Sequence, residues 1–284
     1  MITELKVGRH TVRGASLGGM YTSLHVPELD AVFDVGVALR GAVSARRLFL
    51  SHAHVDHMGA LASYLGMRGL AGVKRPLDLF LPAGIEHDLQ ASLDALSKLH
   101  RWPLTFVARP LHPGDEIELG NGRFVRAFKT FHPVPSLGYL LFDRVQKLDP
   151  AYAHLGGAEI KRRRQAGDTE IFFSEEHLRF AYATDTLPEV LDHTPDLRRV
   201  DTLVLECTFL DDRKSLEGAR AGCHIHLDEL LPRLSHLQIQ HLVLMHFSQI
   251  YHPDQVRRLL AERLPPDLPF TVHAFTPEGT RWWN

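Results

Sequence analysis

Short apolar runs alternate with helical patterns in both halves of the chain. The runs predict buried strands at 48–50, 77–81, 180–184, 203–206 and 242–245, and shorter strands divided by glycine turns over 11–36. Apolar positions at a 3.6-residue period predict helices at 58–70, 85–100, 226–237 and 253–264. Four further strands are predicted at 104–107, 116–119, 124–130 and 139–142. The pattern therefore predicts an α/β (α+β layered) fold, in which two packed sheets are covered by helices.

Two features interrupt this pattern. Residues 144–170 lose periodicity and gather glycine and charge, including the run Lys161-Arg162-Arg163-Arg164. We interpret this segment as an excursion from the core of a single domain that covers residues 1–284. Pro232 lies inside the helical pattern at 226–237, so we expect that helix to be kinked or shortened.

Composition limits the possible partners and compartments. The 284 residues carry a formal net charge of −2, so any attraction to nucleic acid must be local. The two cysteines, Cys207 and Cys223, argue against a disulfide framework and fit a reducing compartment. No signal peptide and no apolar run of about 18 residues are evident, which argues against a membrane partner. We predict a cytoplasmic enzyme.

Four side chains that can bind a metal follow the predicted strand at 48–50: His52, His54, Asp56 and His57. On an extended chain His52 and His54 point the same way, because alternate residues share a face. The following turn can then direct Asp56 and His57 toward a second point nearby. Imidazole together with carboxylate suits zinc or a similar divalent ion. The alternative is a histidine-rich loop without a metal.

Three further strand ends carry candidate ligands, namely His132, Asp185 and His246. One histidine or aspartate at a strand end is usually a turn former or a cap. Three of them, beside a cluster of four, favour a metal site instead. Seven ligands would fill two metal positions if one carboxylate bridges.

The run Ser51-His52-Ala53-His54-Val55-Asp56-His57-Met58-Gly59, with the later histidines and aspartate, resembles the metallo-β-lactamase superfamily. Within it, the chain resembles the short, plant-type tRNase Z family, through segments at 128–139, 203–212, 224–227 and 246–251. The resemblance implies an αββα sandwich. It also implies a zinc-dependent endoribonuclease that removes 3′ trailers from precursor tRNA by metal-hydroxide attack on a phosphodiester.

The resemblance also implies residue roles. One zinc would lie on His52, His54 and His132, and the other on Asp56, His57 and His246, with Asp185 bridging; manganese or iron are other possible metals. Two close ions lower the pKa of a shared water, which Asp56 would orient or deprotonate. His224 would protonate the leaving oxygen and Glu206 would hold it. The alternative is that His224 and His226 only cap the next helix.

For the substrate, the resemblance implies that 144–170 is a protruding arm that grips tRNA. Its binding residues would be Lys161, Arg162, Arg163 and Arg164, and Ser136 is a further expected substrate-binding residue. A run of charge on a solvated face is the simpler explanation of the same residues. The resemblance also implies a homodimer in which the arm of one subunit serves the site of the other.

One turn departs from the family pattern. Plant-type members have Gly-Arg-Cys-Pro-Gln-Arg where this chain has residues 36–41, so Val37 and Gly41 occupy the two arginine positions and Arg40 is shifted. Three functions therefore remain open. They are the tRNA endoribonuclease, a hydrolase of small phosphodiesters or of esters, thioesters or lactones, and a non-catalytic RNA-binding relative.

Overall fold

The computed structural model describes residues 2–282, which form two mixed sheets of seven strands each. The first sheet has strand order β1 to β7: β1 (Thr3–Val7), β2 (His10–Leu17), β3 (Tyr21–Val26), β4 (Ala31–Phe33), β5 (Arg47–Phe49), β6 (Leu77–Pro82) and β7 (Phe106–Leu111). The second sheet runs in the order β14 to β8: β8 (Glu116–Gly120), β9 (Arg123–Lys129), β10 (Leu137–Leu148), β11 (Phe172–Ala183), β12 (Thr202–Glu206), β13 (His241–Met245) and β14 (Thr271–Ala274). In the first sheet β1 to β4 pair antiparallel and β4 to β7 pair parallel. In the second sheet β8 to β11 pair antiparallel and β11 to β14 pair parallel.

Eight α-helices within residues 2–282 complete the fold. They are α1 (Val55–Met58), α2 (Leu61–Leu70), α3 (Glu86–His100), α4 (Gly157–Gln165), α5 (Val190–His193), α6 (Leu216–Ala221), α7 (Leu227–Leu234) and α8 (Pro253–Arg263). Residues of α2 and α3 share a core with the first sheet, and residues of α7 and α8 share one with the second. A third core lies between the sheets. The predicted αββα sandwich is confirmed.

Aromatic side chains join the two sheets. The rings of Phe33 and Phe180 lie 5.2 Å apart, and those of Phe49 and Tyr139 lie 5.1 Å apart. The buried Tyr139 hydroxyl donates to the Leu50 carbonyl at 2.6 Å. The aromatic contacts and the buried hydroxyl, which needs a hydrogen-bond partner, together fix the position of one sheet relative to the other. They bring the carboxyl ends of β5, β9, β11 and β13 toward one edge of the sandwich.

Several element boundaries differ from the sequence pattern. The helix expected at 58–70 begins only at Leu61 as α2, and Met58 belongs to the separate turn α1, because the Ala60 amide donates to the Val35 carbonyl at 2.9 Å instead of continuing that turn. The pattern missed β1 and β14, two short strands at sheet edges. The expected strand at 104–107 begins instead at Phe106 and ends at Leu111. The helix expected at 226–237 ends at Leu234, two residues after Pro232.

The segment at 144–170 is more regular than its sequence suggested. β10 continues to Leu148 and β11 begins at Phe172, so the two strands extend as a ribbon that leads to α4 and back. The loss of periodicity did not indicate a loss of secondary structure, because strand residues without a buried face need not alternate between polar and apolar. Among the helices of residues 2–282, none combines the length and apolar character that a membrane span requires.

Candidate metal centre

The loop after β5 and the single turn of α1 position the first four candidate ligands. His54 is the N-cap residue of α1, with extended φ −67° and ψ 150°, so the chain turns between His54 and Asp56. The Val35 amide donates to the His57 carbonyl at 2.6 Å. Gly36 lies so close beneath this turn that a Cβ there would come within 1.9 Å of the Asp56 carbonyl oxygen. Only glycine permits that approach.

One group of donors consists of three imidazoles and one carboxylate oxygen. His54 Nδ1 lies 3.0 Å from His52 Nε2 and 3.2 Å from His132 Nε2. Asp185 Oδ2 lies 3.7 Å from His52 Nε2 and 3.9 Å from His132 Nε2. The four atoms therefore face one common point, where an ion could be held.

A second group lies on the other side of Asp185. His57 Nε2 is 3.3 Å from His246 Nε2, and Asp56 Oδ2 is 3.5 Å and 3.8 Å from these two nitrogens. Asp185 Oδ1 lies 3.2 Å from His57 Nε2 and 3.3 Å from His246 Nε2. The two oxygens of Asp185 thus face different groups, so this carboxylate has the position of a bridge.

The spacing and chemistry of these donors fit divalent cations. Ligands at the usual zinc–nitrogen distance in a tetrahedron lie about 3.3 Å apart, close to the spacing of both groups. Several of the nitrogens face each other directly, as ligands of one ion do. Burial, followed by the nearby His57, lowers the pKa of His52 to about 2, so this imidazole is neutral and its Nε2 can bind a metal. The centre is therefore suited to a divalent metal.

In three of the rings, hydrogen bonds at Nδ1 keep a proton on that atom, so that Nε2 is the atom available to a metal. His57 Nδ1 donates to Asp34 Oδ2 at 2.7 Å, and His52 Nδ1 donates to Ser51 Oγ at 3.0 Å. His246 Nδ1 lies 3.1 Å from the hydroxyl oxygen of Thr208. Such partners orient metal-binding histidines and raise their basicity.

Asp34 is the functional residue that sequence reasoning missed. It is fully buried, and its carboxylate accepts from the Ser51 amide at 2.6 Å and from Ser51 Oγ, His57 Nδ1 and Tyr182 Oη, each at 2.7 Å. A signal was present in the sequence, since Asp34 ends an apolar strand as Asp185 does. Its partner Tyr182, however, lies on the other sheet and 148 positions away.

Three residues of the centre, each one or two positions after the end of a strand, adopt the left-handed conformation. Their φ angles are 55° at Asp34, 45° at Asp185 and 60° at His246. This conformation is uncommon outside glycine, and it is typical of residues that a functional site constrains. The sharp turn directs each side chain back across the strand end, toward the donors of the neighbouring strands.

His224 and Glu206 form a separate pair at the edge of the centre. Glu206 is fully buried and accepts from the Thr186 and Ile225 amides at 2.7 and 3.2 Å and from His224 Nδ1 at 3.1 Å. Burial alone would lower the pKa of His224, but the charge and hydrogen bond of Glu206 outweigh it and raise the pKa to about 9. The ring of His224 lies 5.4 Å from that of His246. A protonated imidazole therefore lies beside the metal donors.

The two histidines of 224–226 differ in what they contact. The His226 Nδ1 accepts from the Asp228 amide at 3.1 Å and caps α7, whereas His224 faces Glu206. His224 also lies within reach of Asp185 and His246, which is a third combination that could hold an ion. Helix capping therefore accounts for His226 and leaves His224 available for chemistry.

The residues predicted to bind substrate lie in two places. Ser136 accepts a 2.6 Å hydrogen bond from Thr130 Oγ1, in a cleft of about 400 Å³ that also contains His132 and Lys129. Lys161, Arg162, Arg163 and Arg164 lie on α4. Within residues 2–282, no hydrogen bond or ion pair joins these four to the metal donors.

The four cations are also less free than the sequence suggested. Glu159 accepts from Arg162 at 2.7 Å and from Arg163 at 2.9 Å. The guanidinium of Arg164 lies 4.8 Å from the centre of the Phe172 ring. Only part of the run therefore presents uncompensated charge.

Comparison with known proteins agrees with this geometry. Residues 29–247 match the family model described as the Beta-lactamase superfamily domain. YhfI from Bacillus subtilis, a metallo-beta-lactamase fold protein, has the same fold with a TM-score of 0.59 at 15% identity, over 92% of this chain and 93% of that one. With its cluster of histidine and aspartate donors, the protein is a metal-dependent hydrolase of this superfamily.

More specific relatives define the family. tRNase Z TRZ1 of Arabidopsis thaliana is 34% identical over 274 residues, which is 96% of this chain and 97% of that protein. The chloroplastic tRNase Z TRZ2 of the same plant is 35% identical over 252 residues, 87% of this chain and 70% of that protein. Human tRNase Z, short form, has the same fold with a TM-score of 0.56 at 17% identity, over 83% and 92% of the two chains. The chain belongs to the tRNase Z family, and it is an endoribonuclease-type hydrolase.

Asp34→Asn is expected to weaken divalent-metal binding about 10- to 100-fold, because an amide would turn N–H groups toward donors that now meet a carboxylate. Competition with a fluorescent chelator measures this affinity. Asp30→Asn is a matched control, since Asp30 also has a left-handed φ of 51° but pairs with Arg46 at the surface. Unchanged metal affinity in Asp34→Asn would contradict the orienting role.

Proposed function

We propose that the protein is a zinc-dependent endoribonuclease that removes 3′ trailers from precursor tRNA. The observation that carries this proposal is the similarity to a tRNase Z over 96% of the chain. The cut would leave a 3′-hydroxyl on the tRNA and a 5′-phosphate on the trailer. We treat residues 1–284 as one metallo-β-lactamase-fold domain with an arm at about 144–170.

In this proposal two zinc ions, or manganese or iron in their place, are held by the two donor groups, with Asp185 shared between them. When bound, such ions lower the pKa of water and neutralise charge on a phosphate. Asp56 would position the attacking water. Its side chain is 16% exposed, against 4% for Asp185, so water reaches Asp56 more readily. Without an ion, hydrogen bonds from His246 and His57 outweigh burial and hold the pKa of Asp56 well below its usual range, so this side chain is a carboxylate that can bind a metal.

His224 would supply the proton for the leaving group. As the water oxygen bonds to phosphorus, the bond from phosphorus to the 3′-oxygen of the tRNA breaks and that oxygen takes a proton. Glu206 keeps His224 charged at neutral pH, and its bond to Nδ1 leaves Nε2–H as the donor. A donor with a raised pKa suits this role, because it holds its proton until charge develops on the leaving oxygen.

The arm and the centre lie at opposite ends of one strand. β11 begins beside α4 at Phe172 and ends just before Asp185. At about 3.3 Å per residue, a strand of this length spans about 40 Å. A substrate that touches both must be long, as a folded RNA is. Lys161 and Arg162 to Arg164 would bind its phosphates, and Ser136 would contact the chain near the cut.

We include a homodimer in the proposal. Four apolar side chains near the carboxyl ends of α2 and α3 are exposed in the single chain: Leu70 92%, Leu99 83%, Trp102 60% and Leu96 44%. Exposed apolar side chains that cluster in this way usually mark an interaction surface, whereas single scattered ones are common on any protein. A cytoplasmic location remains a prediction, since one relative is chloroplastic.

The second candidate is a hydrolase of small phosphodiesters or of esters, thioesters or lactones. The altered turn at 36–41 favours it, because Val37 and Gly41 offer no cation to an RNA end. In the structure this turn is held firmly, since the Val37 amide and carbonyl both bond to Ser23 Oγ, at 2.9 and 2.8 Å. Small substrates would have no use for α4. The third candidate, a non-catalytic RNA-binding relative, has no support from the set of seven metal donors.

Incubation of the zinc-loaded protein with a precursor tRNA that carries a labelled 3′ trailer tests the proposal. We expect one cut near the discriminator base, and none with Asp185→Asn. An inert precursor beside rapid hydrolysis of bis(p-nitrophenyl) phosphate or a small ester would favour the second candidate.

The alkaline limb of the rate–pH profile should respond to Glu206. Activity needs protonated His224, so the rate falls as pH rises through the pKa of that imidazole. Glu206→Gln removes the charge that raises this pKa, so the limb should move to lower pH by about one unit or more. His224→Ala should abolish the limb and retain bound zinc. An unmoved limb would contradict the acid role, and loss of zinc from His224→Ala would make His224 a ligand.

Replacement of Lys161, Arg162, Arg163 and Arg164 by glutamine should weaken binding of precursor tRNA and flatten its salt dependence, by up to about 0.7 to 0.9 in log–log slope for each lost phosphate contact. Because Glu159 already compensates two of the arginines, a loss smaller than four full contacts is expected. Filter binding at several salt concentrations measures both quantities, with Lys98→Gln on α3 as the control. Affinity and slope equal to those of the wild type would reject the arm as an RNA-binding element.

Leu99→Glu should convert the protein to monomers, because a carboxylate would be buried without a partner at the interface. Sedimentation velocity at micromolar concentration measures the mass. Ile2→Glu, at another exposed apolar side chain (56%), is the control and should leave the dimer intact. A monomeric wild type would contradict the dimer.

A further inference from the structure

The arm leaves the second sheet at one cross-section. β9 pairs with β10 as far as Asp143, and β12 pairs with β11 only from Phe180 onward. Within residues 2–282, the strand segments 145–148 and 172–175 pair only with each other, and the Arg144 amide makes one backbone hydrogen bond outside the ribbon, to the Gly122 carbonyl at 2.8 Å. A two-stranded ribbon twists readily and lacks a third strand to set its direction. The direction of the arm therefore depends on the side chains where the ribbon begins, which we call the arm root (residues 143–144 and 176–179).

One face of the arm root is an ion-pair network. Arg144 and Glu176 are cross-strand partners, with Arg144 Nη2 at 2.6 Å from Glu176 Oε1. Glu176 also accepts from Arg126 of β9 at 2.9 Å, and Arg144 donates to Glu116 of β8 at 2.7 Å. Arg126 also forms an ion pair with Asp196, at 2.8 Å. These five side chains are only 23–30% exposed, so the network is stronger than isolated surface pairs.

Two aromatic rings pack against the arginines of the same network. Phe124 and Phe142 stack with centroids 5.6 Å apart. The guanidinium of Arg144 lies 4.5 Å from the first ring, and that of Arg126 lies 4.7 Å from the second. A planar guanidinium that is stacked and also bonded in its plane has few alternative positions. The first residues of the ribbon are therefore held to β8 and β9.

A β-bulge lies on the opposite strand of the arm root. Leu141 pairs with Phe180 and Phe142 pairs with Leu178, so Arg179 is the extra residue. Its guanidinium donates to Asp143 at 2.8 Å and to Asp201 at 3.1 Å. Bulges bend a strand and increase its twist. Asp201 directly precedes β12, so Arg179 ties the bend to the strand on the other side of the ribbon.

We propose that Arg144, Glu176 and Arg179 are positioning residues that aim the arm at a long RNA substrate. This inference rests on the proposed function, in which α4 holds RNA far from the centre. A change in arm direction would misplace the bond to be cut relative to the metal donors, without touching them. A small phosphodiester reaches the centre without contacting the arm, so the rate of its hydrolysis should not depend on the direction of the arm.

Glu176→Gln tests the inference, because it removes the carboxylate that Arg126 and Arg144 share. Glu175→Gln is the matched control: Glu175 is the next residue of β11 and pairs with Lys147 of β10 at 2.6 Å, which joins the ribbon only to itself. For precursor tRNA, Glu176→Gln should raise KM about tenfold and Glu175→Gln less than about twofold. Turnover of bis(p-nitrophenyl) phosphate should be that of the wild type in both variants.

Hydrogen exchange of the amides at 144–148 and 172–176 reports the arm root directly, and it should be faster in Glu176→Gln than in Glu175→Gln. Equal KM values for the two variants, with or without faster exchange, would overturn the inference. An equal loss on the small substrate would also overturn it, since the network would then support the centre. If Glu176→Gln does not fold, Arg179→Gln is judged by the same criteria. If the four-residue α4 variant also keeps the wild-type KM, the arm role in the proposed function fails instead.

Discussion

The buried carboxylate of Asp185 is the group on which the centre depends. Its two oxygens face two separate groups of donors, and Thr184 Oγ1 donates to Oδ1 at 2.8 Å. A buried carboxylate is unfavourable without compensating positive charge. Without an ion, a proton on His57 provides that charge, because Asp185 and Asp34 outweigh burial and raise the pKa of His57. Metal binding must displace this proton, which makes metal affinity dependent on pH.

The rest of the fold brings side chains to that carboxylate. The donors follow strands of both sheets, so the centre exists only when the sandwich is closed. Asp34 shows the coupling most clearly, since it bonds to His57 on one side and to Tyr182 of the facing sheet on the other. The arm is separate from this arrangement. It continues the opposite end of β11, away from the donors.

Much of this organisation could be predicted from the sequence, because apolar runs that end in histidine or aspartate mark both the strands and the donors. The seven candidate donors lie together in the structure. What the sequence could not reveal depends on contacts between distant segments. The break between α1 and α2 comes from a hydrogen bond to Val35, and the role of Asp34 requires the other sheet. The pairing of Glu159 with Arg162 and Arg163 depends on the helical spacing of α4, a helix that the sequence pattern did not predict.

Anomalous diffraction at the zinc edge, from crystals of the zinc-loaded protein, tests the central claim most directly. The account predicts two peaks about 3.5–4 Å apart, one on each side of the Asp185 carboxylate. One peak among His52, His54 and His132 alone, or two peaks that do not share Asp185, would contradict it.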